Sequence, residues 1–391
     1  MRGFKIAAAA MLAAQIAWIA PASAQEPVKI GLITSLSGPG GYLGQDIRDG
    51  FELAINMGGG KLGGVPVQVV VEDDGAKPGQ GKQIADRFLK NDKIRIFTGI
   101  VFSNVAGATV PDVLDAGAIY VSPNAGPSTF AGKGCHPNYF VVSWQNDSLH
   151  ESAGELASKL GYKSVYLVAA NYQAGKDALE GFKRFYKGHI AGESFTRLDQ
   201  TDFAAEFAQI RSANPEAVFQ FEPGGLGIAF LRQYQQAGLK DKIPMVVAAP
   251  SLDAVTLAVV GEAGLDVNVT SHWNSDFDNP ANKAFMAAWD KTYQRPATYY
   301  ASQGYDTALA IGAALKGTGG KLDDVNAFRQ AMLKADFLST RGAFKFGSNQ
   351  HPVQDWWALK AEKAADGKLV LATKGKILSD HGDAYARDCK F

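Results

Sequence analysis

The sequence predicts an α/β fold in which two doubly wound parallel sheets form two lobes. Apolar strands alternate with amphipathic helices from Val28 to Ser122, and the same alternation begins again at Ser148. Such alternation is typical of parallel sheets that carry helices on both faces. The length of 391 residues also favours two domains over one.

The first unit contains apolar strands separated by helices, and glycines punctuate it. The helix after the first strand has apolar residues at helical spacing, and Gly58-Gly59-Gly60 ends it. The predicted strands are Val28–Thr34, Val65–Val71, Ile94–Thr98 and Ala118–Ser122, and the predicted helices are Asp46–Met57, one around Ile84, Phe88 and Leu89, and one that passes through Val110 and Leu114 to Gly117.

The second unit repeats this architecture without a visible sequence repeat. Ser148 and Glu151 have the spacing of a capping box, which predicts a helix that ends near Leu160. The strands that follow are Ser164–Ala169, Ile190–Phe195, Ala217–Phe221 and Met245–Ala249, and the helices are Lys176–Tyr186, Phe203–Ala213, Gly227–Ala237 and one from Leu252. After Val267–Trp273 the chain is predicted to be helical over Asn282–Tyr293 and Ser302–Lys316.

The N-terminus has the pattern of a secretory signal peptide over residues 1–24. Arg2 and Lys5 precede a small-residue apolar run, and Ala22-Ser23-Ala24 resembles a cleavage site. An uncleaved membrane anchor is the alternative, but the apolar run is short for a membrane span. We therefore expect a soluble mature protein in the periplasm.

The charge balance argues against nucleic acid or an anionic membrane as a partner. The chain has 39 basic and 39 acidic residues, and removal of the signal peptide leaves a slight excess of acids. Cys135 and Cys389 are the only cysteines. In an exported protein they predict one disulfide, with two free thiols as the alternative.

The glycine-rich stretch "SLSGPGGYLGQD" over residues 35–46 suggests a phosphate loop but lacks the required pattern. Leu43 stands where a dinucleotide fingerprint has its third glycine, and Gly44 is not followed by Lys-Ser/Thr. No G-x-S-x-G elbow and no close pair of histidines is present, and each histidine is interpreted as a surface or structural residue. We therefore expect no enzyme activity and no metal, nucleotide or covalent cofactor.

The loops that follow the strands carry neutral hydrogen-bond donors and aromatic side chains. Ligands of open α/β sheets bind at these carboxyl ends. Helix N-termini there can hold a carboxylate without a basic side chain, although helix capping also explains serine and asparagine at such positions. The donors are Ser37, Ser103, Asn104, Asn124 and Ser128, and the aromatic residues are Tyr42, Phe102, Tyr172, Trp273 and Tyr300.

Several segments in this order resemble periplasmic substrate-binding proteins of the leucine/isoleucine/valine-binding type, which serve ABC importers. They are "VKIGLITSLSGPGGYLGQDIRDGFELAI", "VEDD", "IYVSPNAGPS", "GYDTALAIGAAL" and "FKFGSNQHPVQDWW". The resemblance implies a monomer with two hinged lobes and three crossings, near Trp144, near Trp273 and near Phe346 to Pro352. Lobe 1 would comprise residues 25–144 and 273–346, and lobe 2 would comprise residues 145–272 and 347–391, with the tail returning to lobe 1 through the disulfide.

The resemblance also implies a ligand-binding set at the interface of the lobes. Leu43 would be a specificity residue, Ser103 and the loop Asn124-Ala125-Gly126 would hold a carboxylate, and Tyr172 would contact the ligand from lobe 2. Gly126 stands where amino-acid binders of the family have a threonine. The full predicted set is Ser37, Tyr42, Leu43, Phe102, Ser103, Asn104, Asn124, Ala125, Gly126, Tyr172, Glu222, Pro250, Trp273 and Tyr300.

The ligand predicted from this set is a carboxylate without an amine. Amino-acid binders of the family hold the ammonium with an acid after the last strand of lobe 2, where this chain has Ala248-Ala249-Pro250-Ser251. A buried ammonium without a counter-charge is costly. Glu222 or Asp253 could replace that acid, which leaves amino acids as the alternative. The resemblance to the branch of the family for aromatic-acid uptake rests on the aromatic residues, the "SPNAGPS" loop and the cysteine arrangement. The closed form would be recognised by a membrane permease or, alternatively, by a sensor.

Overall fold

The computed structural model describes residues 26–391, so the predicted signal peptide lies outside the described residues. Each strand of the first half is followed by a helix, by a tight turn or, after Ser122, by a longer loop that returns the chain to the sheet. The elements are β1 (Val28–Thr34), α1 (Gly41–Met57), β2 (Lys61–Leu62), β3 (Val65–Asp73), α2 (Pro78–Lys90), β4 (Ile96–Thr98), α3 (Ser103–Asp115), β5 (Ile119–Ser122) and β6 (Tyr139–Val141).

The second half continues with more strands and helices. They are α4 (Asn146–Lys159), β7 (Ser164–Ala170), α5 (Gln173–Phe185), β8 (His189–Thr196), α6 (Ala204–Ala213), β9 (Ala217–Phe221), α7 (Gly225–Gln236), β10 (Met245–Ala248), α8 (Ala254–Val260), β11 (Asn268–Ser271), α9 (Pro280–Tyr293), α10 (Tyr299–Thr318), α11 (Val325–Leu333), β12 (Lys345–Phe346), β13 (Pro352–Lys363) and β14 (Leu369–His381).

Two sheets form the cores of two lobes, which confirms the predicted fold class. The first sheet has the order β2-β3-β1-β4-β5-β6 and is parallel from β3 to β6. The second has the order β12-β13-β11-β10-β9-β7-β8 and is parallel from β11 to β8. All of β1 except Lys29 is buried, as expected for a central parallel strand with helices on both faces.

The second sheet also contains antiparallel strands that the sequence analysis did not predict. β13 pairs antiparallel with β11 and with β14, so a long hairpin closes one edge. Inward and outward positions alternate along β13, and Trp356 on it is fully buried. This alternation is the periodicity of a strand with one buried face.

Several helices begin earlier than predicted, and in two of them local chemistry gives the reason. α1 begins at Gly41 rather than Asp46, since Gly44 has no Cβ and the helix can lie against the carbonyl of Ser35. The capping-box prediction at Ser148 is wrong. α4 begins at Asn146, and the Gln145 side chain caps it by accepting from the Ser148 N–H at 3.1 Å.

The chain passes between the lobes in three places. α4 follows β6, α9 to α11 follow β11 and pack on lobe 1, and the chain then returns to lobe 2 at β13. The buried Arg341 joins the first and third passages by donating to the carbonyls of Val142 and Ser143, and it pairs with Asp306. The residue boundaries of the lobes stay a prediction.

Candidate functional site

A small cavity lies between the lobes, where the carboxyl ends of both parallel sheets meet. Eight residues of the predicted set line it, namely Leu43, Phe102, Ser103, Asn124, Ala125, Tyr172, Pro250 and Tyr300. The other lining residues are Val101, Trp144, Asn146, Leu149, His150, Ala174, Phe221 and Pro223.

Two helices present the N–H groups of their first turns at this cavity. Ser103 is the first residue of α3, and Ala174 lies in the first turn of α5. Neither helix has a side-chain cap, and their first N–H groups have no intrahelical acceptor. Such N–H groups favour an anion at this position.

The polar side chains of the cavity form a small network that leaves donors for a ligand. Asn146 Nδ2 donates to Ser103 Oγ at 3.1 Å, and Asn124 Nδ2 donates to Gln303 Oε1 at 2.8 Å. Because Ser103 Oγ accepts from Asn146, its own hydrogen remains available to a carboxylate. Ser103 is 3% exposed, so this donor lies in a nearly dry environment.

Aromatic rings from both lobes enclose the cavity. The rings of Phe102 and Tyr172 lie 6.4 Å apart across the interface, and Tyr172 stacks on Phe221 at 6.2 Å. Trp144 and Tyr300 complete the aromatic lining. Flat apolar walls of this kind fit a planar ring better than a branched aliphatic chain.

The side chains that line the cavity include no Asp, Glu, Lys or Arg. Among the described residues that line the cavity, His150 is the only histidine. Burial lowers the pKa of its imidazole to about 3. The imidazole is therefore neutral at physiological pH. A bound carboxylate would be stabilised by neutral donors and helix N-termini alone.

The two acids that could replace the missing counter-charge lie outside the cavity lining. Glu222 is fully buried beside it, and Thr196 Oγ1 donates to Glu222 Oε1 at 2.7 Å. Burial raises the pKa of Glu222 to about 8, so this carboxyl is largely protonated at neutral pH. Asp253 caps α8 by accepting from the Thr256 N–H at 2.7 Å.

Five further residues of the predicted set also lie outside the lining, namely Ser37, Tyr42, Asn104, Gly126 and Trp273. Ser37 is exposed in the loop between β1 and α1. The side-chain Oδ1 of Asn104 is buried and has no hydrogen-bond partner among the described residues. The Tyr42 hydroxyl donates to Asp253 Oδ2 at 2.9 Å and so joins the lobes. Trp273 Nε1 donates to Asn282 Oδ1 at 2.7 Å, and Trp273 lines a separate cavity.

Gly126 has a hinge position instead of a ligand position. A Cβ there would lie 2.0 Å from the carbonyl oxygen of Trp144, so no larger residue fits without movement of the backbone. Its N–H donates to Asn146 Oδ1 at 3.2 Å. The loop that carries Asn124 and Ala125 is thereby fixed against the start of α4.

Sequence reasoning missed Trp144, Asn146, Leu149 and His150, which line the cavity from the first passage and α4. The misplaced helix start is the reason. With α4 beginning at Asn146, Asn146 and His150 are four residues apart and share one helix face. The interpretation of every histidine as a surface or hydrogen-bonded structural residue therefore fails for His150, whose Nδ1 is buried without a hydrogen-bond partner.

Hydrogen bonds join the lobes beside the cavity. Ser128 of lobe 1 donates from its N–H and from Oγ to the carboxylate of Asp177 on α5, at 3.1 and 2.7 Å. Asn146 Nδ2, on α4 of the same lobe as Asp177, donates to the same carboxylate at 2.9 Å. The two hydrogen bonds from Ser128 require the two lobes to be closed on each other.

Cys135 and Cys389 form a disulfide with Cα atoms 5.6 Å apart, which confirms the predicted pairing. Over residues 26–391 no helix has the length and apolar character of a membrane span.

A protein-family model described as a periplasmic binding protein matches residues 27–368. Among known proteins, the Leu/Ile/Val-binding protein homolog 6 of Brucella melitensis is 27% identical over 373 residues, covering 93% of this chain and 94% of that protein.

Solved structures with the same fold include two solute-binding proteins with aromatic acids. An ABC transporter solute-binding protein from R. palustris in complex with benzoate is similar with a TM-score of 0.88 and 30% identity, covering 93% of this chain and 100% of that chain. The solute-binding protein of an ABC transporter from Rhodopseudomonas palustris BisB5, in complex with 3,4-dihydroxybenzoic acid, has a TM-score of 0.83 and 28% identity, covering 92% and 99%.

Proposed function

The chain belongs to the periplasmic binding protein family, and from that premise we propose that it captures an aromatic monocarboxylate in the periplasm for an ABC importer. The protein binds its ligand without chemical change. Ligand enters between the open lobes, the hinge closes, and the closed form presents both lobes to a membrane permease. Ligand favours closure only to the extent that it binds the closed form more tightly.

The observation that carries the proposal is the aromatic cavity without a charged lining residue. The carboxylate would lie at the first turns of α3 and α5 and accept from Ser103 Oγ. The ring would lie between Phe102, Tyr172 and Phe221.

The same lining opposes amino acids as ligands. An α-ammonium in this cavity would meet no acid within the lining, because Glu222 and Asp253 both lie outside it and Asp253 caps α8. Burying an unpaired ammonium costs several kcal/mol. The benzoate and 3,4-dihydroxybenzoate complexes of the two similar proteins also support an aromatic acid.

Isothermal titration calorimetry with benzoate, 4-hydroxybenzoate, 4-coumarate, leucine and phenylalanine tests the proposal. We expect tight binding of at least one aromatic acid and none of leucine. Phenylalanine is the matched control, because it combines an aromatic ring and a carboxylate with an ammonium. Tight binding of leucine or phenylalanine, lost in Glu222→Gln or Asp253→Asn, would instead identify an amino-acid binder.

A further inference from the structure

His150 is a polar side chain of the cavity without a protein partner on Nδ1. The residue is 1% exposed, and its ring packs edge-on against Phe221 at 4.6 Å and Phe219 at 5.7 Å. A neutral imidazole has one donor and one acceptor nitrogen. A buried polar atom that lacks a hydrogen bond is rare in native structures and is often explained by function.

The neighbours of His150 in the cavity offer it no compensation. Leu149, Ala174 and Phe221 are apolar. The Asn146 amide is already used, because its Nδ2 donates to Ser103 and Asp177 and its Oδ1 accepts from the Gly126 N–H. Because the imidazole lines the cavity, a ligand there can supply the hydrogen bond that the described residues do not.

We propose that His150 is a specificity-determining residue that hydrogen-bonds a hydroxyl substituent on the ring of the ligand. The preferred ligands are hydroxylated aromatic monocarboxylates rather than unsubstituted or alkylated ones. This inference rests on the proposed function and extends it from the carboxylate to the other end of the ligand.

The geometry of α4 places His150 at a suitable distance from the carboxylate position. Asn146 lies within hydrogen-bond distance of Ser103 Oγ, and His150 follows one helical turn later on the same face. Side chains four residues apart on a helix begin about 5–6 Å from each other. An aromatic ring whose carboxylate binds Ser103 can therefore direct a ring hydroxyl at His150.

Calorimetry with 4-hydroxybenzoate, 3-hydroxybenzoate, benzoate and 4-methylbenzoate tests this inference. We expect at least one hydroxybenzoate to bind about tenfold more tightly than benzoate and 4-methylbenzoate, as expected for a hydrogen bond gained in a buried site. In His150→Leu the ratio of hydroxybenzoate affinity to benzoate affinity falls to about one. His150→Gln, which retains a donor and an acceptor, keeps part of the preference.

Leu149→Val is the matched control, because it trims an apolar contact in the same turn and should weaken all four ligands by a similar factor. Equal affinity of the wild-type protein for benzoate and the hydroxybenzoates would overturn the inference and leave the proposed function intact. An equal loss for all ligands in His150→Leu would also overturn it. If no aromatic acid binds, the proposed function fails and the inference fails with it.

Discussion

Ser103 combines two roles that are usually separate in a helix start. It lies in the first turn of α3, where backbone N–H groups lack acceptors, and its hydroxyl accepts from Asn146 of the other lobe. A carboxylate bound here would contact a side chain and a helix N-terminus at once. The residue thus links ligand binding in lobe 1 to the start of α4.

Replacement of Ser103 by alanine should weaken binding of an aromatic acid by about 1–3 kcal/mol, since a hydrogen bond to a charged group is lost. Calorimetry measures the change. Ser158→Ala on α4, far from the cavity, is the control and should leave affinity unchanged. Unaltered affinity of Ser103→Ala would show that the carboxylate lies elsewhere.

Glu222 should make the stability of the protein depend on pH. Its pKa is raised from 4.5 to about 8 by burial, so the folded state holds a proton that the unfolded state has already lost between these values. Stability from this group is complete below pH 4.5 and is lost as the pH rises to about 8.

The prediction is that wild-type protein loses stability relative to Glu222→Gln as the pH rises through this window. Denaturant unfolding of both proteins at several pH values measures the difference. Glu180→Gln, an exposed acid on α5, should follow the wild-type curve. A constant difference between wild type and Glu222→Gln would show that Glu222 titrates normally.

Among the elements, α5 makes hydrogen bonds that form only when the lobes are closed. Its first turn lines the cavity, and one turn later Asp177 accepts four hydrogen bonds, two from Ser128 and one each from Asn146 and Gln173. Asp177 is 4% exposed, and Ser128 is half-buried. Ligand affinity should therefore depend on a contact that the ligand does not touch.

Asp177→Ala should weaken ligand binding about tenfold by lowering the population of the closed form. Calorimetry gives the affinity, and small-angle scattering with and without ligand gives the degree of closure. Glu180→Ala, on the exposed side of the same helix, is the control. An unchanged affinity in Asp177→Ala would mean that closure does not depend on this contact.

The elements also show what sequence patterns could and could not predict. Runs of apolar residues in buried parallel strands such as β1 carry a strong signal, so the alternation and the fold class were predictable. Buried and less buried residues alternate along β13, so a strand could be predicted there. Its position in the mixed sheet could not, because it depends on pairing with β11, which is distant in sequence. Helix starts depend on contacts such as Gly44 against Ser35, which no local pattern contains.

At the candidate site the same limit applies. Residues at strand ends, such as Phe102 and Tyr172, were predictable because parallel strands present their carboxyl ends at one edge. His150 was not, because its place in the cavity depends on where α4 begins and on how the lobes close. Tyr42 and Trp273 are aromatic residues near the interface whose hydrogen bonds to Asp253 and Asn282 direct them away from the cavity.

At the scale of the whole molecule, the C-terminal tail links the two lobes. β14 belongs to the second sheet, whereas Cys135 lies between β5 and β6 of the first. On the way the Tyr385 hydroxyl donates to Asp147 on α4 at 2.8 Å. The disulfide with Cys389 therefore adds a covalent connection between the lobes beside the three passages of the chain.

Loss of this disulfide should destabilise the folded protein by about 2–4 kcal/mol, because the bond closes a loop of 254 residues and restricts the unfolded chain. Denaturant unfolding of the wild type with and without reductant measures the effect. The double variant Cys135→Ser/Cys389→Ser is the control, since its stability should match the reduced wild type and not respond to reductant. Wild-type stability that does not change on reduction, with two thiols reactive in the unreduced denatured protein, would show that the bond does not form.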